Sequence, residues 1–392
     1  MTSTNSLFAR ALLFSLGVLA LPVVGSAKPD APEAFGPDSH EDGPANLDRS
    51  HRRIHDAVYT ISNAADGNRV LAYSRSPSGV LTSAGDFPTG GKGTGGGLGN
   101  QGALAVTQDG RWLVTVNAGS DEISVFSVQD EALVLTDIVS SGGKRPISVT
   151  VADNLIYVLN AGGAVGSTDN ISGFYLSEQG RLYAIPDSTQ PLSGASVGPA
   201  QISFGLHDDV LIVTEKATSR IDGFVVDDNG RAGPVTSSVS SGATPFGFAI
   251  SAKGNLFVSE AVSNALSSYQ LHSDGSVTSV TKSLVNKQTA ACWVVLSKNG
   301  KYAYTANAAS NTISGYRVGG NGAVTLLNTT GVTAVTDGHP VDMAVSEDGR
   351  FLYSLNSTSK TIVGFRLGDD GSLTRISSVG ALPAGGTGLV ER

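Results

Sequence analysis

Two glutamates, Glu215 and Glu260, end neighbouring copies of a short apolar segment that recurs along the chain. The other five copies end on asparagine, and we call all seven positions anchors. The asparagine anchors are Asn63, Asn117, Asn160, Asn307 and Asn356. Asparagine at a strand end is expected to cap the following loop. Two carboxylates held near one another could instead act as acid and base, share a proton or bind calcium, unless Lys216 or Lys92 neutralises them in a salt bridge.

Further polar and aromatic residues stand near the starts of predicted innermost strands or, for Lys216, directly after an anchor, where they could complete a site. They are Gln101, Arg145, Gln201, Lys216, Trp293 and His339. We assign catalysis to Glu215, which would activate water or move a proton, with Arg145 or Lys216 stabilising a developing oxyanion.

His339 is the third predicted catalytic residue, as a base oriented by Asp337 or Asp342. The alternative is that it is simply a polar residue before Pro340 at the end of a loop. The predicted ligand-binding residues are Gln101, Gln201, Lys216, Glu260 and Trp293. Among these, Trp293 could form the floor under a ring-shaped ligand.

The spacing of the anchors predicts the architecture that would position these residues. The anchors recur about every 43–55 residues, a period typical of a four-stranded propeller blade. Each repeat supplies an innermost strand a, a strand b that ends on the anchor, a strand c and an outer strand d. The predicted fold is therefore all-β, a seven-bladed β-propeller of four-stranded antiparallel blades over residues 57–392.

Turn residues and the chain ends refine this prediction. Asn-Gly and Asp-Gly pairs predict tight hairpins between strands a and b and between strands c and d, all on one face. Ligand chemistry is expected on the opposite face, where longer loops, including the Gly-rich residues 90–102, surround the channel. The first repeat lacks an innermost strand, so we expect residues 383–390 to join blade one beside residues 58–61 and close the ring.

The N-terminal residues predict export. Arg10, the apolar residues 11–21 and the small residues 25–27 are typical of a signal peptide over residues 1–27, and the apolar run is too short to span a bilayer. Residues 28–56 are rich in proline and charge and predict a disordered acidic linker. We expect a secreted or periplasmic protein. Its single cysteine, Cys292, supplies no disulfide framework.

Composition limits the partners. The formal net charge is −8, and the lysines and arginines are scattered, which argues against nucleic acid. We expect a small-molecule ligand and no membrane span, with a protein partner as an alternative. No cofactor is required, although calcium could bind at the glutamate anchors.

The repeats resemble those of the seven-bladed lactonase-like propellers, which include the propeller-type 6-phosphogluconolactonases and the fungal carboxymuconate-lactonizing enzymes. The resemblance covers residues 58–390 and is carried by the strand b and c signature. It is also carried by the Gly-x-Leu starts of strand d at residues 180–182 and 371–373, and by the Gly-Pro and His-Pro pairs at residues 198–199 and 339–340.

The resemblance implies a site at the channel mouth built from His, Arg and Glu. Glu215 matches the family's Glu, whereas Ala200, Gln201 and Ser148 stand where the family has its Arg and His residues. The sequence therefore leaves three functions open. One is an exported lactone hydrolase or cycloisomerase acting on a small polar lactone or related cyclic acid. The second is a non-catalytic ligand- or protein-binding propeller that has lost the catalytic His and Arg. The third is a metal-dependent lactonase that holds calcium at the channel with Glu215, Glu260 and Asp342.

Overall fold

The computed structural model describes residues 56–130, 132–162 and 168–392, all within the unit Ser50–Arg392. The signal peptide predicted for residues 1–27 and nearly all of the linker predicted for residues 28–56 lie outside the described residues. Every regular element in the described part of the chain is a β-strand.

The strands are numbered in chain order. The first ten are β1 (Ala57–Ile61), β2 (Arg69–Arg75), β3 (Leu81–Pro88), β4 (Leu104–Val106), β5 (Trp112–Asn117), β6 (Glu122–Val128), β7 (Leu133–Ser140), β8 (Pro146–Ala152), β9 (Leu155–Asn160) and β10 (Asn170–Leu176). The next ten are β11 (Leu182–Ala184), β12 (Gln190–Pro191), β13 (Pro199–Gly205), β14 (Val210–Glu215), β15 (Arg220–Val225), β16 (Thr236–Val239), β17 (Pro245–Ile250), β18 (Asn255–Glu260), β19 (Ala265–Leu271) and β20 (Val277–Val285). The last ten are β21 (Ala291–Leu296), β22 (Tyr302–Asn307), β23 (Thr312–Val318), β24 (Val324–Leu326), β25 (Ala334–Val335), β26 (Pro340–Val345), β27 (Phe351–Asn356), β28 (Thr361–Leu367), β29 (Leu373–Val379) and β30 (Thr387–Glu391).

These strands form seven antiparallel sheets, which confirms the predicted propeller. Blade two is β4-β5-β6-β7, and blades four, five and seven follow the same order with β13, β17 and β26 innermost. In blades three and six the outer strand is split into two pieces, β11 with β12 and β24 with β25. Blade one is β3-β2-β1-β30, so the ring is closed by the C-terminal strand.

The closing strand pairs where the sequence predicts. Tyr59 of β1 lies opposite Val390 of β30, and Val58 lies opposite Glu391. Arg75 fastens the same seam, because its guanidinium binds Glu391 at 2.8 Å and Asp348 at 3.0 Å. Asp348 belongs to the a-to-b turn of blade seven, so this ion network joins the first and last blades.

Tyrosines on strand b lock neighbouring blades together. The hydroxyl of Tyr157 donates to the carbonyl of Gly230 at 2.8 Å, and the hydroxyl of Tyr304 donates to that of Gly371 at 2.9 Å. Each glycine lies in the c-to-d turn of the next blade and has a positive φ, of 68° and 85° respectively. The turns predicted from Asn-Gly and Asp-Gly pairs thus also supply the carbonyls that hold the ring together. We call this side of the disc the turn face and the other side the loop face.

Candidate functional site

The end of the Gly-rich loop, residues 99–102, lies between the innermost strands, and we call it the plug segment. The backbone N–H of Gln101 donates to the carbonyl of Ala200 on β13 at 3.1 Å. The N–H of Val149 on β8 donates to the carbonyl of Gly102 at 2.8 Å. The plug segment is therefore tied to blades three and four, although it precedes blade two in the chain.

Blades six and one hold the plug segment from other directions. The indole N–H of Trp293 on β21 donates to the carbonyl of Asn100 at 2.8 Å. The hydroxyl of Thr387 on β30 donates to the side-chain oxygen of Asn100 at 3.2 Å. Gly102 has a φ of 80°, and a Cβ there would lie 2.9 Å from the hydroxyl of Ser148. Glycine is thus required because the segment passes close to β8 in a left-handed conformation.

The predicted ligand-binding amides, Gln101 and Gln201, are both paired with backbone. The Gln101 side chain donates to the carbonyl of Val294 at 2.8 Å and accepts from its N–H at 3.0 Å. The Gln201 side chain does the same with Phe248, at 3.0 and 2.7 Å. Each amide thus forms two hydrogen bonds to the backbone of an innermost strand in another blade, so these contacts are structural. The predicted role of the two glutamines in binding a ligand stays untested.

A cation–aromatic cluster stands beside the plug segment on the loop face. The ammonium of Lys216 lies 5.0 Å from the ring centroid of Phe246 and donates to the carbonyl of Gly99. Phe246 packs edge-on against Trp293, with ring centroids 5.1 Å apart. The cluster therefore brings two predicted ligand-binding residues, Lys216 and Trp293, together with Phe246 and the plug segment.

Lys216 has unusual acid–base properties. Its partial burial, and secondarily the positive charge of Arg145, lower its pKa to about 8. Among the described residues no carboxylate pairs with the guanidinium of Arg145, whose backbone N–H is held by Asp121 at 2.8 Å. Asp169, which the sequence analysis missed, lies near Lys216 with its own pKa raised by burial. The site thus holds a lysine with a lowered pKa beside the guanidinium of Arg145.

The seven anchors are all buried. Glu215 and Glu260 are both 0% exposed. Asn117 shows what the position does, because its side chain donates to Ser124 on strand c at 2.7 Å and accepts from Thr89 in the preceding d-to-a loop at 2.7 Å. Asn307 repeats this pattern, because its side chain donates to Ser314 on strand c and accepts from Asn286 in the preceding d-to-a loop.

Glu215 and Asp222 are neighbouring buried carboxyl groups that bind the same serine. The backbone N–H of Ser193 donates to both carboxyl groups, at 3.1 and 3.0 Å, and the Ser193 hydroxyl donates to Glu215 at 2.7 Å. Burial, and then the hydrogen bond with Glu215, raise the pKa of Asp222 to about 7. Asp222 was missed in the sequence, although it lies seven residues after Glu215, where Ser124 and Ser314 follow their own anchors.

Glu260 has a separate set of partners. Its carboxylate accepts hydrogen bonds from the hydroxyls of Ser240, Ser267 and Ser283. None of these residues binds Glu215, so the described residues do not join the two glutamates into one acid–base or calcium site. Three serines satisfy the carboxylate in place of solvent, and the assigned roles of Glu215 and Glu260 stay predictions.

The predicted His339 pairing is also corrected. His339 is exposed, and its backbone N–H donates to Asn311 at 2.6 Å. Asp337 is bound by the guanidinium of Arg375 at 2.5 and 3.0 Å. Asp342 is buried and accepts the N–H groups of β26 and β30, with a pKa that burial raises to about 8. Neither aspartate orients His339, because each already has stronger local partners.

Within the described ranges, no group of three or more His, Cys, Asp or Glu residues is arranged to hold a metal ion. The same part of the chain contains no helix that is long and apolar enough to cross a membrane. Burial raises the pKa of the Cys292 thiol to about 12, which is typical of a packing residue rather than a nucleophile.

Comparisons with known proteins agree with this architecture. A family model described as lactonase, 7-bladed beta-propeller, matches residues 57–182 and 275–386. The unmatched residues between them contain both glutamate anchors, Lys216 and Phe246. A comparison with curated proteins found no match.

Solved structures extend the likeness over the whole propeller. A protein of Bacteroides fragilis, named as a candidate 6-phosphogluconolactonase, is 16% identical with a TM-score of 0.68, and the alignment covers 89% of this chain and 100% of that one. The periplasmic gluconolactonase of Pseudomonas aeruginosa is 13% identical with a TM-score of 0.67, covering 85% of this chain and 98% of that one. At these identities the likeness shows the fold.

Proposed function

Because this chain belongs to the seven-bladed β-propeller lactonase family, we propose that it hydrolyses a small polar lactone at the loop-face mouth of its channel. The observation that carries the proposal is the half-buried Lys216, whose pKa is lowered to about 8 and which lies beside Arg145. A general base is most effective when its pKa is near the working pH. The solved relatives named as lactonases support lactones as the substrate class.

The proposed reaction uses these two cations in different roles. Neutral Lys216 takes a proton from a water molecule as its oxygen attacks the lactone carbonyl. The guanidinium of Arg145 donates hydrogen bonds to the oxyanion that forms on the carbonyl oxygen. The ring C–O bond then breaks, and the Lys216 ammonium returns the proton to the departing alkoxide. The product is the open hydroxy acid, and the enzyme is unchanged.

The test is hydrolysis of a lactone panel by the purified protein and by matched lysine variants. Lys216→Met should lower kcat/KM about a hundred- to ten-thousand-fold. Lys92→Met should not change it, because Lys92 is an exposed lysine of the Gly-rich loop that has no role in the proposed reaction. The wild-type kcat/KM should rise with pH through about 8, because neutral Lys216 is the active form. Full activity in Lys216→Met would refute the proposal.

The second candidate is a non-catalytic receptor for the same ligands. It is favoured by the contacts of Gln101, Gln201 and Glu215, whose side chains already bind protein partners. Calorimetric binding of a lactone or hydroxy acid, without turnover and lost in Arg145→Ala, would select this function over hydrolysis.

We further propose that the chain is exported, to a periplasm or outside the cell, on the basis of the signal peptide predicted for residues 1–27. N-terminal sequencing of protein isolated from the producing cells should then begin near Lys28. An uncleaved N-terminus on cytoplasmic protein would contradict export without affecting the proposed reaction.

A further inference from the structure

The turn face carries a cleft that the proposed hydrolysis does not use. It lies between blades five and six and has a volume of about 730 Å³, which is within the range of small-molecule sites. Half-buried apolar side chains line it, including Ile250 at the end of β17, Val295 and Leu296 at the end of β21, and Val345 on β26. None of the loop-face cluster residues lines this cleft.

Three lysines, Lys253, Lys298 and Lys301, line the cleft alongside these apolar side chains. Lys298 is already bound by Glu347. Within the described part of the chain, no carboxylate pairs with Lys253 or Lys301, and the cleft lining contains no acidic residue. In a protein whose formal net charge is −8, this concentration of uncompensated positive charge is a local exception.

A second cleft on the same face has the opposite charge. It measures about 270 Å³ and lies between blades three and four. Five aspartates line it: Asp153, Asp208, Asp209, Asp227 and Asp228. Anions are repelled there and attracted to the cleft of blades five and six, so the turn face separates the two charges in space.

We propose that the cleft between blades five and six binds a small organic anion with an apolar body. Its carboxylate or sulfonate head meets Lys253 and Lys301, and its body lies against Ile250, Val295 and Leu296. Two ammonium groups can form charge-assisted hydrogen bonds to one such head, and the apolar walls favour a chain or ring over an inorganic anion. A saturated fatty carboxylate has this chemistry.

The test measures displacement of the fluorescent anion dansyl-undecanoate by decanoate, below the concentration at which micelles form. The double variant Lys253→Glu with Lys301→Glu should weaken decanoate binding at least about tenfold, because two attractive charges become repulsive. Lys282→Glu is the matched control, since that lysine is exposed on the outer strand β20 and does not line the cleft; it should bind as the wild type does. Decanol, which has the same chain without the charge, should bind at least about tenfold more weakly than decanoate.

Equal binding of decanoate by the double variant and the wild type would overturn the proposal, as would equal binding of decanol and decanoate. Both substituted lysines are exposed, so the double variant is expected to fold. Thermal unfolding should verify this. Lys216→Met is expected to bind decanoate normally, so loss of lactone hydrolysis and loss of anion binding separate the two proposals.

Discussion

The seam between the first and last blades can be tested by replacing Arg75 with methionine. The Arg75 side chain is 2% exposed and its partner Glu391 is 1% exposed, so the substitution leaves a buried carboxylate without its counter-charge. Asp348 keeps Arg350, which binds it at 2.8 Å. Breaking a buried pair on one side costs about 3–5 kcal/mol, and we expect Arg75→Met to lower the free energy of unfolding by that amount at pH 8.

The expected loss depends on pH. Burial raises the pKa of Glu391 to about 7 although Arg75 is present. A carboxyl group whose folded pKa is raised contributes stability below its unfolded pKa, and this contribution is lost as the pH rises through the folded value. At pH 5 Glu391 is therefore largely protonated in both proteins, and the difference between Arg75→Met and the wild type should be smaller than at pH 8.

Guanidinium chloride unfolding at the two pH values measures both effects. The matched control is Arg69→Met on the same strand, because Arg69 and Asp86 form an exposed pair, 39% and 55% exposed, of a kind worth about 0–1 kcal/mol. Adding Glu391→Met to Arg75→Met should restore much of the loss, since an apolar pair leaves no buried charge. The reasoning is refuted if Arg75→Met and Arg69→Met unfold within about 1 kcal/mol of each other at pH 8.

Three further outcomes are expected. Asp222→Asn should make the fall in melting temperature between pH 6 and pH 8 shallower, because the pKa of Asp222 is raised to about 7 and the wild type loses that contribution as the pH rises. Identical slopes would contradict the raised pKa of Asp222. Gln101→Ala should speed hydrogen exchange of the Val294 amide, which donates to that side chain, whereas an unchanged rate would show that the plug segment is held without it. Chelation with EDTA should leave lactone hydrolysis intact, because the proposed base is Lys216, and activity restored only by calcium would favour a metal site instead.

The fold could be predicted from the sequence because its signals are local and repeated. Turn pairs such as Asn299-Gly300 specify hairpins, and the missing first innermost strand is matched by an extra one at the C-terminus. The sequence predicts both Lys216 and Trp293 near the channel because each lies close to a strand end on the loop face. Such inferences need only the order of elements and the face on which each one ends.

The side-chain directions could not be predicted in the same way. Strand b is buried on every side, so the alternation of residues along it does not tell whether Glu215 points to the channel or into its blade. Its partner Asp222 lies on the next strand, and only the comparison with Ser124 and Ser314 seven residues after their own anchors reveals the relation. The predicted pairing of His339 with Asp337 is absent because Arg375, 38 positions away from Asp337, binds that carboxylate.

The contacts of the plug segment have a consequence for how the protein matures. Gln101 binds Val294, 193 positions away, and Asn100 accepts from Thr387, 287 positions away. Pairings this distant in the chain form late, since a large loop must close before they repay its entropy. A nascent polypeptide that still lacks its last residues therefore has an incomplete channel mouth. The proposed hydrolytic site is completed only when β30 pairs with β1 and closes the ring.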